Sequence, residues 1–193
     1  MSDVPRNRYI LFGAIAAIGC AVDLTTKAWL FSWPELGGGN TFWLWPGHAG
    51  FQLSWNQGAL FGMGQGSTWL FASLSILAGC AIPLWLFYWR AANDVWLTAA
   101  LGSVMGGLLG NLYDRLGMPD HLWPGRGSDF GQPVHAVRDW ILVQWSDQLR
   151  WPNFNIADSL LVVGAIALML HARRAPGALA DTPDAVSDLP RLG

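Results

Sequence analysis

The apolar residues of this chain fall in blocks too long and too continuous to be the single buried stripe of a soluble core helix. Four such blocks predict helices, at residues 9–31, 68–89, 95–116 and 156–172. The first three reach the ~20 residues needed to cross a hydrocarbon layer ~30 Å thick. The fourth is shorter: its strictly apolar part, 160–170, spans only ~16 Å at the helical rise, which draws Asn155, Asp158 and Ser159 towards the membrane surface. Between the first two blocks, residues 42–45 and 51–55 are aromatic-rich runs around Pro46-Gly47, the pattern of two short strands lying on the membrane face. Residues 116–155 read as a long connection. Residues 175–193, rich in Pro, Ala and Asp without apolar period, read as a disordered tail. The expected fold is one integral membrane domain, 1–174, all-α with four transmembrane helices and a small β platform outside them.

Composition sharpens this. Hydrophobic residues make up 52% of the chain and charged residues 12%, the latter about half the ~25% of an ordinary soluble domain. The net charge of −2 comes with no basic run, which argues against a nucleic-acid partner. Lysine and arginine give the orientation: Arg6, Arg8, Arg90, Arg173 and Arg174 share one side, the cytoplasmic one, and residues 32–67 carry none. Arg115, Arg126, Arg138 and Arg150 are exceptions on the other side, alternating with Asp114, Asp120, Asp129, Asp139 and Asp147. Of the thirteen tryptophans, Trp29, Trp33, Trp69, Trp89, Trp96 and Trp151 fall near block ends, as in an interfacial aromatic belt. Arg6 and Arg8 before an apolar run containing Ala17-Ile18-Gly19-Cys20 faintly resemble a lipoprotein leader, but the run continues to Leu30, so a retained helix is expected. Cys20 and Cys80 both sit in apolar segments and are expected to be packing residues.

Polar residues in or beside such blocks need a reason. Asp23 and Lys27 lie one helical turn apart, suited to an ion pair or to a lysine that snorkels out beside its acid. Gly102, Gly106 and Gly110 form a stripe that lets another helix approach closely. That stripe runs into Asn111-Leu-Tyr-Asp114-Arg115, read either as an interfacial Asp114–Arg115 ion pair or as a cluster supporting a site. Asn155 fits a helix N-cap with Asp158 at the third helical position, close to a capping box, where a carboxylate complements the helix dipole. Asp139 stands beside Arg138 in the long connection. If folding unites Asp139 with Asp158, the two like charges share one proton, giving a general acid and a general base without metal or thiol. His48, His121, His135 and His171 lack ligand spacing, so no metal is expected. A proton-coupled transporter, with Asp23, Lys27 and Asp114 as its relay, is the alternative these residues allow.

Five blocks, DLTTK at 23–27, NQGALFG at 56–62, GGLLGNLYDR at 106–115, VRDWI at 137–141 and FNIADS at 154–159, stand in the order found in bacterial lipoprotein (type II) signal peptidases, and the chain resembles that family from the first helix to the fourth. The resemblance implies a four-helix aspartyl endopeptidase of the inner membrane, with both termini cytoplasmic and the active site near the extracytoplasmic face. It implies a β platform and a flap built from residues 32–67, no cofactor, a monomer surrounded by membrane lipid, and a diacylated prolipoprotein substrate cut just before its lipidated cysteine. By position in the blocks, Asp139 and Asp158 would be the catalytic pair. Asp23, Lys27, Asn56, Gly58, Gly110, Asn111, Asp114, Arg115, Asn155 and Ala157 would shape or support the site, with Asn111 and Arg115 as donors to substrate carbonyls. The chain departs from the family in residues 116–138, longer than expected by about fifteen residues, in Trp140 where Phe is usual, and in Leu60 where a small residue is common.

Overall fold

The structure, a computed structural model, describes residues 3–58, 63–125, 128–146 and 148–174. The expected tail at 175–193, and residues 59–62 of the expected flap with Leu60 among them, lie outside these. In chain order the elements are α1 (Arg6–Phe31), β1 (Phe42–Trp45), β2 (Ala49–Asn56), α2 (Thr68–Pro83, prolonged by a π-helical turn Leu84–Tyr88), α3 (Val95–Arg115), β3 (Val137–Gln144), β4 (Arg150–Phe154) and α4 (Ile156–Arg174). Four helical segments, Arg6–Phe31, Thr68–Tyr88, Val95–Arg115 and Ile156–Arg173, are long and apolar enough to cross a membrane. The first begins at Arg6 rather than at residue 9, because arginine and asparagine continue a helical backbone past the point where the apolar run stops.

The bundle turns its large apolar side chains outward: Ile10, Ile18, Leu74, Leu77, Val163 and Met169 are exposed to the surroundings, as lipid contact requires. α3 runs through the middle and is buried on most sides. Small residues let it sit there. A Cβ on Gly107 would collide with the Ala157 carbonyl of α4, and one on Gly110 with the Asp23 carboxylate of α1, so these two glycines set how closely α3 holds both neighbours. At the end away from the sheet, Asp94 caps α3 by accepting the Leu97 N–H at 3.0 Å, and its other oxygen lies 2.8 Å from His171 Nε2 of α4. Cys20 is half-buried, but Cys80 is exposed on the outer face of α2 and is not the packing residue expected, since α2 turns that side to lipid.

The four strands form one antiparallel sheet in the order β1-β2-β3-β4. β1 and β2 match the two expected strands. The reading of 116–155 as a plain connection is corrected, because it supplies β3 and β4. β3 is buried on both faces from Val137 through Trp140, so it lacks the alternation by which a half-buried strand announces itself. Trp140 anchors the sheet to the end of α1, packing with buried Leu30 and Leu36 and meeting the Phe51 ring edge-on at 5.4 Å. Pairing of β2 with β3 sets Ser54 opposite Asp139 and brings Asn56 to the same end.

Candidate active site

The ends of α1 and α3, the start of α4 and strands β2 and β3 converge at one end of the bundle, and the polar residues expected from the sequence gather there. Lys27 Nζ lies 2.7 Å from Asp23 Oδ2 and 3.0 Å from Asp114 Oδ2, and donates to Asn111 Oδ1 at 3.0 Å. Lys27 and Asp23 are wholly buried, so the lysine forms the ion pair and does not snorkel. Asp23 Oδ1 accepts the Ala157 N–H at 2.9 Å, one of the first-turn donors that α4 cannot satisfy itself.

Of the two readings of Asp114 and Arg115, the ion pair does not form, because adjacent residues on a helix point in different directions. Asp114 turns to β3: its Oδ1 accepts from Arg138 Nε at 2.9 Å and lies 2.8 Å from Arg138 Nη2, while its Oδ2 accepts the Arg138 backbone N–H at 3.0 Å. Arg115 turns the other way. Its Nη2 donates to the Gly58 carbonyl at 3.0 Å and its guanidinium lies over the Phe71 ring. Its Nε is buried with no hydrogen-bond partner among the described residues.

Asn155 and Asp158 form the reciprocal cap that opens α4: the Asp158 N–H donates to Asn155 Oδ1 at 2.9 Å and the Asn155 N–H to Asp158 Oδ2 at 3.2 Å. The same asparagine reaches the second acid, its Nδ2 donating to Asp139 Oδ1 at 2.6 Å. Asn111 Nδ2 donates to Asp158 Oδ1 at 2.9 Å, and Asn56 Nδ2 to Asp139 Oδ2 at 3.1 Å. Asn56 Oδ1 in turn takes the Gly58 N–H at 2.9 Å and Gln65 Nε2 at 3.4 Å. Every site residue anticipated from the sequence is thus in one connected cluster. Arg138 and Gln65 were missed, because their partners lie in other elements and no local spacing marks them.

Burial is the largest influence on Asp139 and the charge of Asp158 the next; together they push the Asp139 carboxyl up to about 8 against the pull of its two amide donors. The charge count agrees. Four carboxylates, Asp23, Asp114, Asp139 and Asp158, face three cations, Lys27, Arg115 and Arg138, in a largely buried cluster, and one proton on the acid pair makes it neutral. Beside the pair is a cavity of about 390 Å³, bordered by Asn56, Asn111, Arg115 and Asp158 at its polar end and by Leu74, Ala78, Leu108 and Leu161 between α2, α3 and α4.

Gly110→Ala tests the packing under this cluster. The added methyl displaces the Asp23 carboxylate, and overpacking of this kind is worth about 1–3 kcal/mol. Thermal unfolding in detergent should show that loss, whereas Gly13→Ala, with open space around it, should leave the transition unchanged or slightly raised.

The sequence profile of the family described as Signal peptidase (SPase) II matches residues 15–174. The chain is 48% identical over 169 residues to a lipoprotein signal peptidase of Rhodopirellula baltica, covering 87% of this chain and 74% of that one. With a lipoprotein signal peptidase of Pseudomonas aeruginosa it shares 33% identity over 178 residues, 90% of this chain and 94% of the relative. Two solved structures of bacterial membrane enzymes have the same fold. One has a TM-score of 0.66 at 21% identity, over 92% of this chain and 93% of that one. The other has a TM-score of 0.63 at 24% identity, over 88% and 92%.

Proposed function

The chain belongs to the signal peptidase II family, and from that premise we propose that it is an aspartic endopeptidase whose acid pair is Asp139 and Asp158. It is a multi-pass membrane protein that removes the signal peptide from prolipoproteins by hydrolysis. The observation carrying the proposal is that two acids from separate elements, β3 and α4, share Asn155 as a common partner in a cluster whose charge balances with a single proton. The pair shares that proton at neutral pH; in this reading it sits on Asp139, raised by burial, and Asp158, in the first turn of α4 where the helix dipole favours negative charge, is the anion. Asp158 takes a proton from water as its oxygen attacks the scissile carbonyl carbon, while Asp139 donates to the carbonyl oxygen. Arg115 borders the cavity, and its guanidinium, whose Nε has no hydrogen-bond partner among the described residues, is a further donor for a substrate carbonyl. As the tetrahedral intermediate collapses, the C–N bond breaks, the proton held by Asp158 passes to the leaving amine and the proton on the former carbonyl oxygen returns to Asp139, so the pair regains its single proton and no cofactor is consumed.

The substrate is a diacylated prolipoprotein cut just before its lipidated cysteine, its apolar parts entering through the cavity between α2, α3 and α4. All groups come from one chain, so a monomer suffices. The enzyme lies in the inner membrane with both termini cytoplasmic, because Arg6, Arg8 and Arg90 lie at the bundle end away from the sheet. Arg115 and Arg138 do not count against this orientation, since both are buried in the site rather than exposed in a loop. Asp23, Lys27 and Asp114, the relay of the transporter alternative, are closed into one ion cluster at a single end of the bundle and form no path across it.

Incubation of the purified protein with a diacylated prolipoprotein tests this reading through the mass shift of the product on a gel. Its pH profile is a second test. Because the Asp139 shift is upward, the protonated form persists to pH about 8, and above that the pair becomes doubly anionic and has no donor for the carbonyl. kcat/KM should then fall about tenfold per pH unit, and at low pH a second proton should abolish the base. A rate still climbing well above that pH would contradict the assignment.

A further inference from the structure

The longer connection between α3 and β3 builds a lobe that the acid pair does not use. Leu122 and Pro133 pair as an isolated bridge, Trp123 N–H donates to the Gln132 carbonyl at 2.9 Å, Gly131 N–H returns to the Trp123 carbonyl at 3.2 Å, and Val134 N–H donates to the His121 carbonyl at 2.8 Å. The lobe is therefore closed on itself. It meets β2 through Trp55, whose ring lies 5.4 Å from His121 and 5.9 Å from Trp123. Between lobe and strand is a second cavity of about 390 Å³, with Trp55, Gln57 and Gln65 on one wall and Trp123, Ser128 and Phe130 on the other.

Resting on the function proposed above, we propose that this groove binds the polar segment following the lipidated cysteine of the substrate, and so selects among prolipoproteins by the first residues of their mature part. Two observations fix that occupant. The groove adjoins the site: Gln65 lines it and also donates to Asn56, the asparagine that donates to Asp139, while Gln57, which lines it too, follows Asn56 in the chain. Its lining also differs from that of the active-site cavity. The latter runs between α2, α3 and α4 among Leu74, Ala78, Leu108 and Leu161 and suits apolar substrate parts, whereas the groove offers the side-chain amides of Gln57 and Gln65 and the carboxylate of Asp129, to which Ser128 Oγ donates at 3.0 Å, between aromatic walls, a mix of donors and acceptors suited to an extended main chain. A signal sequence and acyl chains stay in the bilayer, so the mature segment is the part of the substrate that leaves into water. A pre-closed wall holds such a segment without being ordered by it.

Two lipidated substrates with the same signal peptide test this, one ending at the cysteine as an amide and one continuing for about ten further residues. The wild type should cleave the longer one with a kcat/KM several-fold higher. Trp123→Ala and Gln57→Ala should remove most of that advantage through KM, with cleavage of the short substrate unchanged, which also shows that the variants are folded. A benzophenone at the second to fifth residue after the cysteine should crosslink to a fragment containing 121–135, a readout needing no variant. Equal rates for the two substrates, equal loss on both in the variants, or crosslinks confined to α2 and α4 would overturn the groove while leaving the peptidase reading intact. Failure of the wild type to cut either substrate would instead remove the function on which the groove depends.

Discussion

Asp139→Asn is expected to lower prolipoprotein cleavage by roughly 10²–10⁴-fold, the usual contribution of a positioned acid or base, while substrate binding and folding stay close to wild type. Asparagine keeps the size of the side chain and an oxygen for the Asn155 or Asn56 donor, but an amide cannot hold the shared proton or release it. Asp158→Asn should have the same effect for the complementary reason, since in the proposed mechanism Asp158 is the group that takes a proton from water. Its oxygen can still accept the Asn155 N–H, so the start of α4 should lose no more than about 1 kcal/mol. The double variant should be little worse than either single one, because groups acting as a unit are not additive. Gel-shift rates with a diacylated prolipoprotein, alongside thermal unfolding in detergent, separate this from general damage. Either variant retaining more than about a tenth of the wild-type rate would remove that aspartate from the pair.

The sequence made the membrane frame easy to read, because a helix in lipid must be apolar all round, and that is a property of consecutive residues. The reciprocal cap at Asn155 and Asp158 was equally legible, being local in spacing. β3 was not legible: Val137–Trp140 is buried on both faces and holds two charges, so neither alternation nor an unbroken apolar run marked it. Its Val, Ile and Trp content bounded by Pro133 and Ser146 was the available signal. The partner of Asp114 was hidden for another reason. Arg138 comes from a strand formed after a long connection, and sequence spacing cannot show a contact that the tertiary fold creates. The block resemblance located Asp139, but what raises its carboxyl, burial beside a second carboxylate against the pull of amides on both oxygens, appears only when β2, β3 and α4 are together.

Lys27→Met should destabilise the protein by about 3–5 kcal/mol, the consequence of removing one partner from a buried ion pair. Methionine replaces the apolar stem of the lysine, so the loss comes from charge rather than from a void. Arg138 still balances Asp114, but Asp23 is left buried with the Ala157 N–H as its remaining donor, and Asn111 Oδ1 loses the ammonium that orients it. Asp23→Asn in the same chain should recover a large part of the loss, because exchanging a whole buried pair for neutral groups is far less disruptive than exchanging half of it. Denaturant unfolding in detergent of the two single variants and the double completes the cycle; a Lys27→Met loss below about 1 kcal/mol would mean that the lysine behaves as an exposed charge. Activity reports the same change independently. Lys27 is among the charges that hold the Asp139 carboxyl down, so its removal lets the proton persist to higher pH. The alkaline limb of whatever cleavage remains in Lys27→Met should therefore move upward, opposite to the shift expected if the variant merely loosened the site and let water reach Asp139.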